Sequence, residues 1–265
     1  MERHVIADPV GPEPPADAEP VDEPERPVAR APRWREPAML LAAWWVGALV
    51  FFRGPIFSGF DRLSGDDGDV RLIALLHEHW LDVVRGRADW STPAFFHPTS
   101  GTLGYSDTFV INEVFYAPLR ALGLDRYSAL QVTMILLTLL GFVGYYLVGT
   151  RLVGASRWLA VAMSLTAAFA NNLYVQISHP QMLSVHWLPW LVLLVAAACR
   201  ASSMRRQSLA AGAAGLLFGL LVWSTYYVAW FAAFAAALFL LGLAVQMRHR
   251  ILAAGWRRIV ARLWR

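Results

Sequence analysis

The sequence predicts an all-α, polytopic transmembrane bundle of about six spans, with amphipathic helices in its first outer loop. Three observations lead there. Of 265 residues, 57% are hydrophobic and only 16% charged, against about 25% charged in ordinary soluble domains. From Ala38 onward the apolar residues fall into runs whose lengths approach the roughly 20 residues that carry a helix across a bilayer core. All 23 basic side chains are arginine, and many of them gather in alternate loops between those runs, which is the bias of cytoplasmic loops. A formal net charge of +4 spread in this way is too small for a nucleic-acid surface. The lone Cys199 leaves no internal disulfide and no cysteine-based metal cluster.

The first 37 residues hold nine of the fifteen prolines and nine acids against five arginines, a composition that builds no packed core. Residues 1–36 are therefore expected to form a disordered cytoplasmic tail, and they lack the basic start and apolar run of a secretory signal. Residues 37–246 form the transmembrane module. Its first span is expected over 38–52, extendable past Arg53 if that side chain snorkels. The second, 129–150, is uniformly apolar; the third, 158–177, turns polar at Asn171, Asn172 and Gln176. The fourth, 182–199, carries His186 and Pro189 near its start. The last apolar stretch runs from 208 to 246, nearly twice one span, with Trp223, Ser224, Thr225, Tyr226 and Tyr227 at its centre like an interfacial turn.

Charge sets the orientation. Arg26, Arg30, Arg33 and Arg35 precede the first span, Arg151 and Arg157 lie between the second and third, and Arg200, Arg205 and Arg206 follow the fourth. Arg248, Arg250, Arg257, Arg258, Arg262 and Arg265 join the same side only if the last stretch crosses twice. The expectation is six spans in the plasma membrane with both termini cytoplasmic. Residues 247–265 interleave Ile251, Leu252, Trp256 and Ile259 with arginine and should lie on the inner surface as a basic amphipathic tail. The acid-rich segment 54–128 is left outside. Within it Val70, Ile73, Leu76, Trp80, Val83 and Val84 recur at helical spacing, with Arg71, Glu78, Asp82 and Arg85 on the wet face. That pattern predicts a helix lying along the outer membrane surface. A second helix is expected after Asp107, running through Asn112 and Glu113 toward Pro118.

Chemistry has three candidate locations. Asp66, Asp67 and Asp69, between Gly65 and the surface helix, either share protons or bind a divalent cation, or else form a turn and helix cap. Tyr105, Ser106 and Asp107 stand before the second loop helix, as a cap or a substrate contact. His179 and Gln181, on the outer hairpin between the third and fourth spans, are an interfacial anchor or a functional pair, because polar groups at membrane depth are costly to keep. Every candidate serine lies in a different element, so no Ser/His/Asp triad is visible.

At these positions a resemblance emerges. Gly65 and Asp66, the helix with Trp80, Phe96-His97-Pro98, the run from Gly101 to Asp107, Ala117-Pro118-Leu119, His179-Pro180-Gln181 and Trp187-Leu188-Pro189 follow one another in that order. Together they resemble the multi-spanning GT-C glycosyltransferase superfamily, in its bacterial branch related to polyprenyl-phosphate-sugar enzymes. The resemblance implies transfer of a sugar from a lipid phosphate carrier to an acceptor on the outer face. It implies that an acid near the end of the first span, Asp66 in preference to Asp67 or Asp69, is the general base or metal ligand. It maps a second outer-loop acid to Asp107, and leaves His179 and Gln181 to hold phosphate or sugar hydroxyls with Arg71 or Arg120 as charge partners. Members of the superfamily carry further spans, so the resemblance also implies a second membrane subunit that supplies them, a longer chain, or an inactive relative. The alternative class is a non-catalytic scaffold or a transporter-like subunit; the near absence of charge inside the spans speaks against transport.

Overall fold

In the computed structural model, which describes residues 34–254, every regular element is helical. The first helix, α1 (Arg35–Phe51), places Pro37 in its opening turn, where the missing N–H removes no helical hydrogen bond. It begins inside the expected tail because Glu36 is held: the Tyr146 hydroxyl donates to it at 2.6 Å, and Arg157 approaches it at 3.7 Å. It also stops before Arg53 instead of extending past it. Phe52 leaves helical geometry, α2 (Arg53–Phe57) turns away, and the Arg53 guanidinium bonds the Tyr174 hydroxyl at 3.0 Å.

The acid-rich segment 54–128 carries α3 (Asp67–Val84) and α4 (Glu113–Ala121), the latter entered through a 3₁₀ turn at Val110–Asn112. The stripe of Val70, Ile73, Leu76 and Trp80 is buried in the protein core, with α3 packed on α4 and on α5 (Arg126–Val148). This corrects the expected surface helix: the apolar face of α3 is spent on its own protein, and Leu72 and Val84 are the exposed large hydrophobics left on the helix.

Asp125 opens α5, its Oδ1 accepting the amides of Tyr127 and Ser128 at 2.9 and 3.1 Å. The helix closes in a π turn, Gly149–Val153, and Gly154 at φ +74° reverses the chain into α6 (Arg157–Ala168). The expected third span is interrupted at Phe169, whose ring fills the notch beside Gly47, and a short α7 (Asn171–Val175) follows. The fourth begins as a 3₁₀ segment, Pro180–Trp187, before α8 (Leu188–Arg200). Thr225 leaves helical geometry and divides the long apolar stretch into α9 (Met204–Ser224) and α10 (Tyr226–Ala254), as the turn at 223–227 predicts.

Among the described residues five segments are long and apolar enough to cross a membrane: Arg126–Val153, Arg157–Val175, Pro180–Arg200, Met204–Ser224 and Tyr226–Arg248. The sixth expected span is α1, which at 17 residues falls short of that group and packs on α5 and α6. Trp44 Nε1 donates to Thr138 Oγ1 at 3.1 Å and joins α1 to α5 within the core. The expected inner-surface tail starts as a continuation of α10; residues 1–33 and 255–265 lie outside the described residues. The loops sort by charge. Glu36, Tyr146, Arg157, Arg151 and Arg200 meet at one end of the bundle, and the acid-rich segment docks on the hairpins of the other.

Candidate functional site at the acidic end of the bundle

The first corner is built by Gly65. It sits at φ +94°, and a Cβ there would lie 2.6 Å from Ser178 Cα, so only glycine lets the two loops touch. Asp66 then donates its amide to Ser178 Oγ at 3.1 Å and caps α3, Oδ1 accepting from Gly68 and Asp69 at 2.9 and 3.1 Å. The Asp69 amide foremost, with Ser178, holds the Asp66 carboxyl below its ordinary range. A carboxylate whose ionised form is stabilised in this way is a weaker proton acceptor than a free one.

One helical turn into α3, Asp69 Oδ2 lies 3.3 Å from His179 Nε2, both side chains half exposed. Two residues predicted for one site are thus in contact. Arg71 is exposed on the same helix. Gln181 is half-buried, and its Oε1 has no hydrogen-bond partner among the described residues. The Asp67 side chain lies outside the described residues.

The second corner gathers around Asp107. Trp80 Nε1 donates to the Thr108 carbonyl at 2.6 Å, the Thr108 hydroxyl to the Trp223 carbonyl at 2.8 Å, and the Ile111 amide to Ser224 Oγ at 2.8 Å. Asp107 Oδ1 accepts the Tyr226 amide at 3.2 Å. Burial outweighs that bond and pushes the Asp107 carboxyl up to about 6. Tyr105 is 76% exposed, with the edge of its ring toward Phe96. The eleven residue steps of α3 from Asp69 to Trp80 rise about 16 Å, so Asp107, beside the Thr108 that Trp80 bonds, does not join Asp66 and Asp69 in one cluster. Among the described residues no three His, Cys, Asp or Glu side chains converge to hold a metal ion.

Between the corners lies a polar layer that sequence reasoning missed. His77, buried and stacked on Tyr116, hydrogen-bonds Glu113. Burial pushes the Glu113 carboxyl above its ordinary range despite that bond. Glu78, expected on the wet face, instead receives the Tyr116 hydroxyl at 2.6 Å and Arg120 Nε at 2.5 Å. Arg120 is therefore spent on Glu78, which removes it as a charge partner for a donor phosphate. Asn112 staples α4 to the hairpin, donating to Ser184 Oγ at 3.2 Å and accepting from Trp187 Nε1 at 3.1 Å. One signal was available: His77 continues the stripe of Ile73, Ala74 and Trp80, so its burial follows from register.

No protein-family model, curated protein or solved structure matches this chain.

Proposed function

We propose that this protein is a membrane-embedded transferase that takes a sugar from a polyprenyl-phosphate donor and passes it to an acceptor hydroxyl at the acidic end of the bundle. That end faces outward across the plasma membrane, with both termini cytoplasmic; the short connections at the opposite end, which carry Arg151, Arg157, Arg200, Arg205 and Arg206 and no acid, support this orientation, because the arginine bias is read over short loops. The observation that carries the reading is the Asp69–His179 pair, formed where the surface loop and the outer hairpin meet.

Asp69 takes the acceptor proton as the hydroxyl oxygen attacks the anomeric carbon. The bond from that carbon to the phosphate oxygen breaks, and polyprenyl phosphate leaves with the electron pair. His179, as an imidazolium, gives Nε2–H to Asp69 and Nδ1–H to a phosphate oxygen, and Arg71 adds positive charge on the same helix. Asp66 positions this corner by capping α3.

One observation favours the alternative of a non-catalytic membrane scaffold: Asp66 and Asp107 both accept backbone amides and so tie loops together. Sugar incorporation in the protein's native membranes, where a second subunit supplying further spans is present, separates the two. Asp69→Asn abolishes transfer and leaves thermal stability unchanged if the reading is right; transfer equal to wild type sinks it.

A further inference from the structure

A cavity of about 560 Å³ opens beside the second corner, between the loop holding Trp90 and the α9–α10 hairpin. Its rim presents the flat rings of Trp90, Trp223 and Tyr226 together with Ser91, Ser106 and Thr108. Its floor is apolar, made by Val222 and Gly219 of α9. Val222 and Tyr226 also line a second cavity of about 520 Å³. That one lies along α9 and α10 at Phe218, Ala229, Trp230 and Ala233, and is almost wholly apolar. The two spaces adjoin at Val222 and Tyr226, which line both, so a polar head lies beside a greasy tail; the pair is called the track.

The head selects its occupant by hydrogen-bond polarity. The Thr108 hydroxyl proton is given to the Trp223 carbonyl and the Ser91 proton to Asp89, at 2.8 and 2.6 Å. Those hydroxyls therefore face a ligand as acceptors. No arginine or histidine lines the head among the described residues. A phosphate would meet these two acceptors with no cation to offset its charge. A sugar ring supplies several hydroxyl donors, no charge, and an apolar face for the indoles and the phenol.

We infer that this track binds a neutral glycolipid: the sugar in the cavity at Trp90 and Trp223, the hydrocarbon chain in the groove between α9 and α10. The inference goes beyond the transferase reading and stands without it, since it asserts binding alone.

The test uses the full chain in phosphatidylcholine nanodiscs with monoglucosyl diacylglycerol bearing a diazirine in one acyl chain. Photolabel should map to α9 and α10 between residues 218 and 233. A Cβ at Gly219 meets no atom within 4 Å, and the same is true at Gly212 on the same helix outside the track. Gly219→Leu should fill the track and lower labelling about tenfold, the equivalent of roughly 1.4 kcal/mol, while Gly212→Leu labels like wild type. Trp90→Ala, which trims the rim without touching helix packing, should also label weakly. Unlabelled monoglucosyl diacylglycerol should displace the probe where phosphatidylglycerol and phosphatidylethanolamine do not. Equal labelling of wild type, Gly219→Leu and Trp90→Ala would overturn the inference. So would displacement by the phospholipids, or label spread evenly over all helices.

Discussion

His179 Nε2 lies 3.3 Å from Asp69 Oδ2, and beside that pair Asp66 and Ser178, 112 residues apart in sequence, share a hydrogen bond. The hairpin at Ser178 and His179 and the first turn of α3 are thereby fixed against one another by a polar contact and a glycine contact together. Each of these contacts has a separate consequence that a measurement can read.

Gly65 is the most constrained residue of the corner. Alanine there adopts the left-handed region at a disadvantage and drives its Cβ into the Ser178 backbone. Gly65→Ala should cost about 2 kcal/mol or more, read as a lower unfolding temperature in detergent. Asp66→Asn, which keeps an acceptor for the Gly68 and Asp69 amides, should leave that temperature nearly unchanged.

Glu78 couples α3 to α4 through Arg120 and Tyr116. Burial raises its carboxyl, but the hydrogen bonds from Arg120 and Tyr116 prevail and set it below its ordinary value of 4.5. A lowered folded-state value means stability present above pH 4.5 and lost as pH falls through the lowered value. Glu78→Gln should destabilise by about 1–3 kcal/mol at neutral pH and remove that part of the acid sensitivity. Superimposable acid melts of the two proteins would contradict the assignment.

Asp107 gives the opposite slope. Its carboxyl rises from 3.8 to about 6 in the fold, so the native state favours the protonated form. Stability from this group is greatest in acid, declines as pH rises from about 4 to about 6, and is level above that. Asp107→Asn retains an acceptor for the Tyr226 amide, should lack this slope, and should melt higher than wild type at pH 7.5, by on the order of 2 kcal/mol. A variant less stable than wild type at that pH would count against burial as the cause.

Orientation is read with thiols. Cys199 is exposed, and its neighbour Arg200 donates to the Arg151 carbonyl at the arginine end. An impermeant maleimide should label it only after the membrane is opened. With Cys199→Ser as background, Ser100→Cys in the outer loop should label in intact cells. The reverse pattern inverts the topology.

The helices were legible where composition alone decides them. α5 carries a continuous apolar run behind an aspartate cap, and the apolar stretch at 208–246 exceeds one span, so its division at 225 follows from length. Boundaries set by single tertiary contacts were not. Nothing local says that Glu36 would find Tyr146 and extend α1, or that Phe169 would seat against Gly47 and interrupt the third span. Periodicity marked the buried face of α3 correctly but not what would cover it, which turned out to be α4 and α5 in place of lipid. The same limit governs the site. Asp69 was visible as one of three crowded carboxylates and His179 as a polar residue of a membrane hairpin, whereas the pairing of Glu78 with Arg120 and of Asn112 with Trp187 depends on contacts between distant segments.

The transferase account rests on the donor. Native membranes carrying the protein should move radiolabelled sugar from a polyprenyl-phosphate sugar into an endogenous acceptor and move none from a nucleotide sugar when lipid-carrier charging is blocked. His179→Ala should lower that transfer at least about a hundredfold without changing the unfolding temperature. Label passing directly from the nucleotide sugar, or transfer by His179→Ala at the wild-type rate, would contradict it.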